Sequence, residues 1–156
     1  QIWPTEGDVK MLDENDLKSL DHIGVALHRA AEAWTAEFRT EMAARGFNWH
    51  LGASGEVLAH LGPSGVSQTV LTERMGLSKQ AVQQLLDRLE ADGVIRREAD
   101  PADKRAKRVV LTELGRKDFA ERNKVKRQIE ERYRDKLGKK LFGKLDKALR
   151  KLREPD

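Results

Sequence analysis

Four basic side chains fall within five positions of the chain, in the segment ADPADKRAKRVVLT at residues 99–112. They are Lys104, Arg105, Lys107 and Arg108. Like charges this close repel one another, so their clustering is easier to understand if an anionic partner neutralises them. The phosphates of a nucleic acid would do this and would release counterions on binding. An apolar run at residues 109–111 follows at once, so the segment predicts a phosphate-binding tip that leads into a strand.

Within this tip, Arg105 is the side chain best suited to enter a narrow minor groove, where negative potential is concentrated. Asp103 lies two positions earlier, in a turn that also contains Pro101. Its carboxylate could accept a hydrogen bond from Arg105 or from the backbone and so fix the direction of the guanidinium group. The alternative is that Asp103 forms the turn and does nothing more.

A second group of polar side chains lies on a helix predicted from Ser78, a good N-cap, to about Asp92. The apolar residues of this helix recur at helical spacing: Val82, Leu85, Leu86 and Leu89. A shorter helix, with Ser67 as its cap, covers residues 68–75 and ends at Gly76. The pattern therefore predicts two helices joined by a three-residue turn that contains glycine.

A helix is narrow enough to enter a major groove about 12 Å wide, with the side chains of its first turns nearest the base edges. The candidates on the second helix are Ser78, Lys79, Gln80, Gln83, Gln84 and Arg88. Glutamine can form two hydrogen bonds to adenine, serine and lysine can reach phosphate or base, and Arg88 is better placed for the nucleic-acid backbone. The alternative is that these residues simply face water, as on any amphipathic helix.

Upstream, apolar spacing predicts a long amphipathic helix over residues 16–45, which Gly46 ends. The segment GFNWHLGASG, which starts at Gly46, then indicates a loop with two bulky aromatic residues. Ser54 is a candidate cap for a short helix that extends to Leu61. The GPSG segment at residues 62–65 ends this helix, because proline and glycine do not continue helical hydrogen bonding.

Downstream, residues 94–97 and 108–111 can pair as two short strands connected by residues 98–107. Thr112 can cap a further helix, Gly138 predicts a break in it, and a last helix follows over residues 139–153. The predicted fold class is mainly α with a small β-hairpin.

The composition agrees with one helix-rich folding unit. The chain has 156 residues, of which 36% are charged, 38% hydrophobic and 5% aromatic. No apolar run approaches the roughly 20 residues of a bilayer-spanning helix, and the first residues lack the order of a secretion signal, so we expect a cytoplasmic protein. Cysteine is absent, which excludes disulfides, thiol redox sensing and cysteine-ligated zinc.

The net charge of +4 is distributed unevenly along the chain. Acidic residues outnumber basic ones in residues 1–67, whereas basic residues outnumber acidic ones in residues 122–153. Such asymmetry favours a polyanionic partner, although a basic helix can also be a solvated face. The sequence leaves open whether the basic C-terminal helices contact phosphates or pair with the acidic N-terminal segment.

Residues 77–115 resemble the winged helix-turn-helix core of the multiple-antibiotic-resistance regulator (MarR) family. The similarity is carried by the polar helix and by the segments LEADGVI, DPADKR and VVLTELG, which occur in the order and spacing of the family. The long helices on both sides resemble the family in pattern only. By this resemblance, Asp103 and Arg105 match the aspartate and the minor-groove arginine of the wing, and residues 78–84 match the base-reading stretch.

The resemblance implies a homodimeric transcriptional repressor of one domain, with a winged head at residues 54–112 and helical dimerisation regions at residues 16–45 and 113–153. Two heads would bind a pseudo-palindromic operator in double-stranded DNA, and a small ligand would release them. A physical argument also favours a dimer, because the apolar stripes of the outer helices are longer than the head can cover. The alternative is a winged head that binds a protein or RNA.

A ligand site is predicted from four residues that would line a cleft between the first helix and the head. They are Trp34, Phe38, Trp49 and His50. Members of the family often bind small aromatic acids in this region, and aromatic side chains with one polar group suit such a ligand. The alternative is that these residues pack in the core.

The sequence carries no catalytic or metal-binding motif. Its four histidines form no HExxH pattern, and there is no P-loop, no GxGxxG after a strand and no GxSxG. We therefore expect no metal, no cofactor and no enzymatic activity.

Overall fold

The computed structural model describes residues 22–103 and 105–153. The chain divides into two units, residues 1–33 and residues 34–156. The described part of the first unit contains the first turns of helix α1 (Ile23–Ala44) and an exposed contact between His28 and Glu32, with Nε2 and Oε1 3.3 Å apart. The predicted helix over residues 16–45 is confirmed from residue 23 onward, and residues 16–21 lie outside the described residues.

In the described part of the second unit, the rest of α1 is followed by helices and a small sheet. The helices are α2 (Ser54–Ala59), α3 (Gln68–Met75), α4 (Lys79–Ala91), α5 (Glu113–Leu137) and α6 (Lys139–Lys151). The strands are β1 (Val66–Ser67), β2 (Ile95–Ala99) and β3 (Lys107–Leu111). The predicted fold class is confirmed. None of the described helices has the length and apolar character needed to cross a bilayer.

Side-chain caps begin two of the described helices. The hydroxyl of Ser78 accepts a hydrogen bond from the backbone N–H of Ala81 (3.1 Å), and that of Thr112 accepts one from Gly115 (3.2 Å), so these two predicted caps are confirmed. Ser67 occupies the predicted N-cap position of α3, but its side chain makes no capping hydrogen bond. The prediction for Ser54 is wrong, because Ser54 is the first helical residue of α2. A helical turn precedes α2, and the N-cap residue of α2 is Ala53, which has helical dihedral angles (φ −60°, ψ −23°) and no side-chain oxygen to accept a hydrogen bond.

That helical turn is a 3₁₀ turn over Asn48–Leu51, in the segment predicted as a loop. Two of its side chains are anchored, which explains why it is ordered as a turn. Trp49 donates its indole N–H to Asp92 Oδ2 (2.9 Å), and the ring of His50 is buried against Phe38. Neither contact leaves a periodic signal in the local sequence.

The three strands form an antiparallel sheet in the order β1-β3-β2. Ile95 lies opposite Leu111, and Ala99 lies opposite Lys107, so the predicted hairpin is confirmed and extends further toward its tip. Strand β1 was not predicted. It has only two residues, too few for an alternating pattern, and it exists because Val66 pairs with Val109 of β3.

The apolar residues of the second unit form two clusters. One joins α2, α3, α4 and the sheet, and its members include Leu58, Leu71, Val82, Leu86, Leu89 and Val109. The other joins α1 to α5 through Phe38, Met42, Val125 and Ile129. Full burial of such a side chain contributes about 1.5–3 kcal/mol, so the first cluster fixes the positions of α3, α4 and the hairpin. Leu141, Leu145 and Leu149 of α6 remain exposed, as does Leu152 directly after it.

Candidate nucleic-acid interface

Helices α3 and α4 are joined by the predicted three-residue turn. Gly76 adopts the left-handed conformation (φ 62°) that ends α3, and its N–H donates to the carbonyl of Glu73 (3.3 Å). Glycine adopts this conformation without the steric cost that a Cβ brings. The chain can then turn sharply and restart as α4 at the Ser78 cap.

Helix α4 presents its polar face outward, as predicted. Val82, Leu86 and Leu89 are fully buried. This fixes the rotation of the helix and leaves exposed Ser78, Lys79, Gln80, Gln84 and Arg88. Gln83 differs from its neighbours, because it is half-buried at the edge of α3.

The hairpin tip is organised by two aspartates. Asp103 Oδ1 accepts a hydrogen bond from the backbone N–H of Arg105 (2.9 Å), and Asp100 Oδ1 accepts one from the backbone N–H of Ala102 (2.9 Å). Asp103 therefore accepts from the backbone of Arg105 and not from its guanidinium group, so it positions the Cα of Arg105. The Arg105 side chain is exposed, and Lys104 lies outside the described residues.

Arg108 does not belong to the exposed tip. Its guanidinium group donates to the carbonyl oxygen of Ser64, in the loop that precedes β1, and the side chain is half-buried. The basic cluster seen in the sequence therefore separates into residues at the tip and an arginine that ties β3 to the neighbouring loop.

An open cleft of about 670 Å³ lies between α3, α4 and the hairpin. It brings Lys79 and Gln83 of α4 together with Arg105 and Lys107 of the hairpin. The other predicted residues do not line it, namely Ser78, Gln80, Gln84, Arg88 and Asp103. The cleft also contains polar residues that the sequence analysis missed: Gln68, Thr69, Thr72 and Arg97. Gln68, Thr69 and Thr72 lie on one face of α3. Their spacing along the sequence could have identified this polar face.

Hydrogen bonds and one ion pair connect α3 to β2 through side chains of α4 beside this cleft. Gln68 Nε2 donates to Gln83 Oε1 (2.8 Å), and Gln83 Nε2 donates to Asp87 Oδ1 (2.9 Å). The same Asp87 oxygen lies 2.8 Å from Arg97 Nη2. We call Gln68, Gln83, Asp87, Arg97 and Glu90 the cleft network.

Glu90 completes the cleft network on the hairpin side. Its carboxylate accepts hydrogen bonds from the backbone N–H of Arg97 (2.9 Å) and from Arg97 Nε (2.9 Å). These bonds raise the pKa of Arg97 and lower the pKa of Glu90. Arg97 therefore fixes the hairpin to α4, and its guanidinium group already has two protein partners.

Three of the four predicted ligand-site residues line one cavity, and the fourth lies elsewhere. Trp34, Phe38 and His50 line a small cavity of about 160 Å³, together with Arg39 and Glu56. Trp34 stacks on Phe38 with ring centres 5.3 Å apart, and Phe38 meets the His50 ring edge-on at 5.4 Å. Trp49 does not line this cavity, because its indole packs against the core of the head.

His50 also belongs to a buried polar network that the sequence analysis did not find. His50 Nε2 donates to Asp118 Oδ1 (2.7 Å), and Arg122 Nε lies 2.9 Å from Asp118 Oδ2 in an ion pair whose N–H is poorly aimed at the oxygen. Arg122 also donates to the carbonyl oxygens of Leu58 and Leu61. Burial lowers the pKa of Arg122, against the opposing effect of Asp118. We call His50, Asp118 and Arg122 the buried network.

A family model matches the part of the chain that contains most of this cleft, and a curated protein matches about half of the chain. A model described as the MarR family matches residues 52–106. The chain is 36% identical over 73 residues to the transcriptional regulator HosA of Escherichia coli O111:H-, a match that covers 47% of this chain and 54% of HosA. The chain thus spans about half the length of this curated relative.

Solved structures are similar over most of the chain. The wild-type MarR of E. coli in its apo form has a TM-score of 0.71 at 18% identity, with 88% of this chain and 100% of that chain covered. A transcriptional repressor, CouR, bound to a 23-mer DNA duplex, has a TM-score of 0.67 at 26% identity, with 93% and 100% covered. The likeness to MarR concerns the fold alone, which is a winged helix-turn-helix.

Proposed function

We propose that the chain, which matches the MarR family model over residues 52–106, is a homodimeric transcriptional repressor that binds a pseudo-palindromic operator in double-stranded DNA. The observation that carries the proposal is the cleft in which Lys79 and Gln83 of α4 lie beside Arg105 and Lys107 of the hairpin. CouR, a relative of the same fold, binds a DNA duplex. HosA is a transcriptional regulator and CouR a transcriptional repressor, so the proposed role is regulatory and not catalytic. As a regulator of DNA it would act in the cytoplasm.

The DNA contacts follow from the two elements that border the cleft. Helix α4 enters the major groove, where Ser78, Lys79, Gln80, Gln83 and Gln84 meet bases and nearby phosphates and Arg88 meets the backbone. Arg105 enters the adjacent minor groove, with its position set by Asp103. Lys104 and Lys107 contribute positive charge to phosphate binding.

A homodimer is supported by the exposed apolar residues of α6. Leu141, Leu145 and Leu149 recur at helical spacing and are 40–54% exposed. A stripe of this kind is normally covered, and a second copy of the chain covers it while providing the two reading helices that a pseudo-palindrome requires. In this proposal α1, α5 and α6 form the dimerisation region.

In this proposal a small aromatic acid binds beside α1 and releases the DNA. The cavity beside Trp34 and Phe38 contains Arg39, which would neutralise a carboxylate, but its volume of about 160 Å³ is below the roughly 300 Å³ of ordinary ligand pockets. Only a single-ring acid would fit without movement. Titration with benzoate should therefore quench Trp34 fluorescence and lower operator affinity, and Arg39→Ala should abolish both effects.

The test of DNA binding is a titration of selected duplexes with the wild type and with single variants. Arg105→Ala should weaken binding by about 1–3 kcal/mol and reduce the salt slope by about 1. Gln83→Ala should alter base preference more than total affinity. Arg134→Ala, which removes an arginine of α5 outside the cleft, is the control and should leave both quantities unchanged.

Two results would contradict the proposal. One is a flat dependence of affinity on salt, because phosphate contacts release counterions. The other is binding to RNA or to a protein that duplex DNA fails to displace, which would support the alternative of a winged head with another partner.

A further inference from the structure

Gln83 is the only one of the three glutamines of α4 whose amide is held by other described side chains on both sides. Its oxygen accepts from Gln68 and its nitrogen donates to Asp87. Gln80 and Gln84 are exposed and make no side-chain hydrogen bond within residues 22–103 and 105–153. The helix therefore presents one glutamine of fixed direction between two that are free to rotate.

The hydrogen-bonding chemistry of its neighbours fixes the direction of the Gln83 amide. A carboxylate can only accept hydrogen bonds, so the atom of Gln83 that faces Asp87 must be the NH₂ group. The amide oxygen must then face Gln68, which has to donate its own NH₂ group. Arg97 holds Asp87 in place from the other side (2.8 Å), so the whole orientation is fixed by the ion pair between α4 and the hairpin.

The two internal bonds leave Gln83 with one donor and one acceptor. An amide has two N–H donors and two oxygen lone pairs, and the cleft network uses one of each. In the major groove, adenine offers a donor and an acceptor, guanine two acceptors, cytosine a donor and thymine an acceptor. A fixed donor–acceptor pair is complementary to adenine, and on guanine it places one oxygen against another.

We propose that Gln83 reads adenine and that Gln68 and Asp87 are the positioning residues that make this reading selective. The inference rests on the proposed function, because it requires α4 to enter the major groove. A glutamine that is free to rotate can move its NH₂ group alone onto guanine, and it discriminates less. Gln68, which belongs to α3, therefore determines base preference although it acts through a residue of α4.

The experiment compares base profiles, obtained by selecting bound duplexes from a random pool. In the wild type one A·T position should depend on Gln83, identified as the position whose preference disappears in Gln83→Ala. Gln68→Glu replaces the donor by an acceptor and should reduce the preference for adenine at that position by about tenfold, a typical value for one bidentate contact. Gln68→Lys retains a donor and should preserve the preference, although its added charge strengthens binding to all sequences.

Two further variants separate reading from folding. Asp87→Asn retains the shape but accepts either direction of the Gln83 amide, so it should also weaken the adenine preference while the melting temperature stays close to that of the wild type. Gln128→Ala, which removes a glutamine of α5 that accepts from Arg45, is the matched control and should reproduce the wild-type profile.

The outcomes distinguish this inference from the function on which it rests. If the wild type enriches no duplex, the proposed function fails and the inference fails with it. If the wild type selects a symmetric site but the Gln83-dependent base is not adenine, or if Gln68→Glu and Asp87→Asn leave the profile unchanged, the inference is wrong and DNA binding stands.

Discussion

The buried network and the cleft network contain similar groups but differ in exposure. In the buried network, Asp118 is inaccessible and both His50 and Arg122 are 3% exposed. In the cleft network, the side chains of Arg97, Glu90 and Asp87 are 15%, 35% and 55% exposed. One network is sealed inside the protein, and the other lies along an open cleft.

The difference in exposure indicates that the two networks have different roles. Desolvated charges are costly, so the buried network must be nearly saturated by protein groups, and it joins the 3₁₀ turn and α2 to α5. The cleft network leaves donors and acceptors unused, as Gln83 shows, and water satisfies them until another polar molecule does. The first network should therefore govern stability, and the second should govern recognition.

The largest effect is expected from Asp118→Ala. The substitution removes the acceptor shared by His50 and Arg122 and leaves a buried cation without its partner. The free energy of unfolding should fall by about 3–5 kcal/mol, measured by urea denaturation. Asp146→Ala breaks an exposed pair with Arg150 on α6 and serves as the control, for which little change is expected. Equal losses in the two variants would contradict the assigned role of the buried network.

A smaller effect is expected from Arg97→Ala. Arg97 is largely buried, but Glu90 and Asp87 recover solvent when it is removed, so the free energy of unfolding should fall by about 1–2 kcal/mol. Arg97→Lys should recover only part of this loss, because an ammonium group cannot reproduce the planar fork that contacts two carboxylates. The same denaturation experiment measures both. A loss as large as that of Asp118→Ala would remove the distinction between the two networks.

Most elements that the sequence predicts correctly have a local signal, although the local signal at Ser54 predicted a cap that the structure does not have. The Gly76 turn and the caps at Ser78 and Thr112 depend on residues within a few positions of one another, and all were predicted. The side of α4 that faces the core was predicted from the spacing of its apolar residues. Strand β1 and the 3₁₀ turn depend on partners distant in the chain, and neither was predicted.

The same reason explains which site residues the sequence missed. Asp118 and Arg122 are spaced like an ordinary surface ion pair on a helix, and only the fold brings His50 to them. Arg97 has the appearance of an exposed cation in a basic segment, but it is bonded to Glu90. The sequence identified residue types that suit a nucleic acid, whereas the hydrogen bonds that orient them required the structure.

The smallest effect concerns pH. Hydrogen bonds from Arg97 hold the pKa of Glu90 below its usual value of about 4.3. A carboxyl group whose pKa is lower in the folded state stabilises the protein fully above the unfolded pKa, and this contribution is lost as the pH falls through the folded pKa. The difference in unfolding free energy between the wild type and Arg97→Ala should therefore be largest near pH 7 and shrink below about pH 4.

Urea denaturation at pH 7, 5 and 3 measures this dependence. The pKa of Glu41 is also lowered, by its hydrogen bond with Arg45, but this contact is present in both proteins, so its contribution cancels in the comparison. A difference that stays constant down to pH 3 would mean that Arg97 stabilises the hairpin through packing of its aliphatic chain alone. If the difference in unfolding free energy shrinks at low pH, the part that is lost is due to the charge of Arg97. The same charge holds Asp87 next to Gln83.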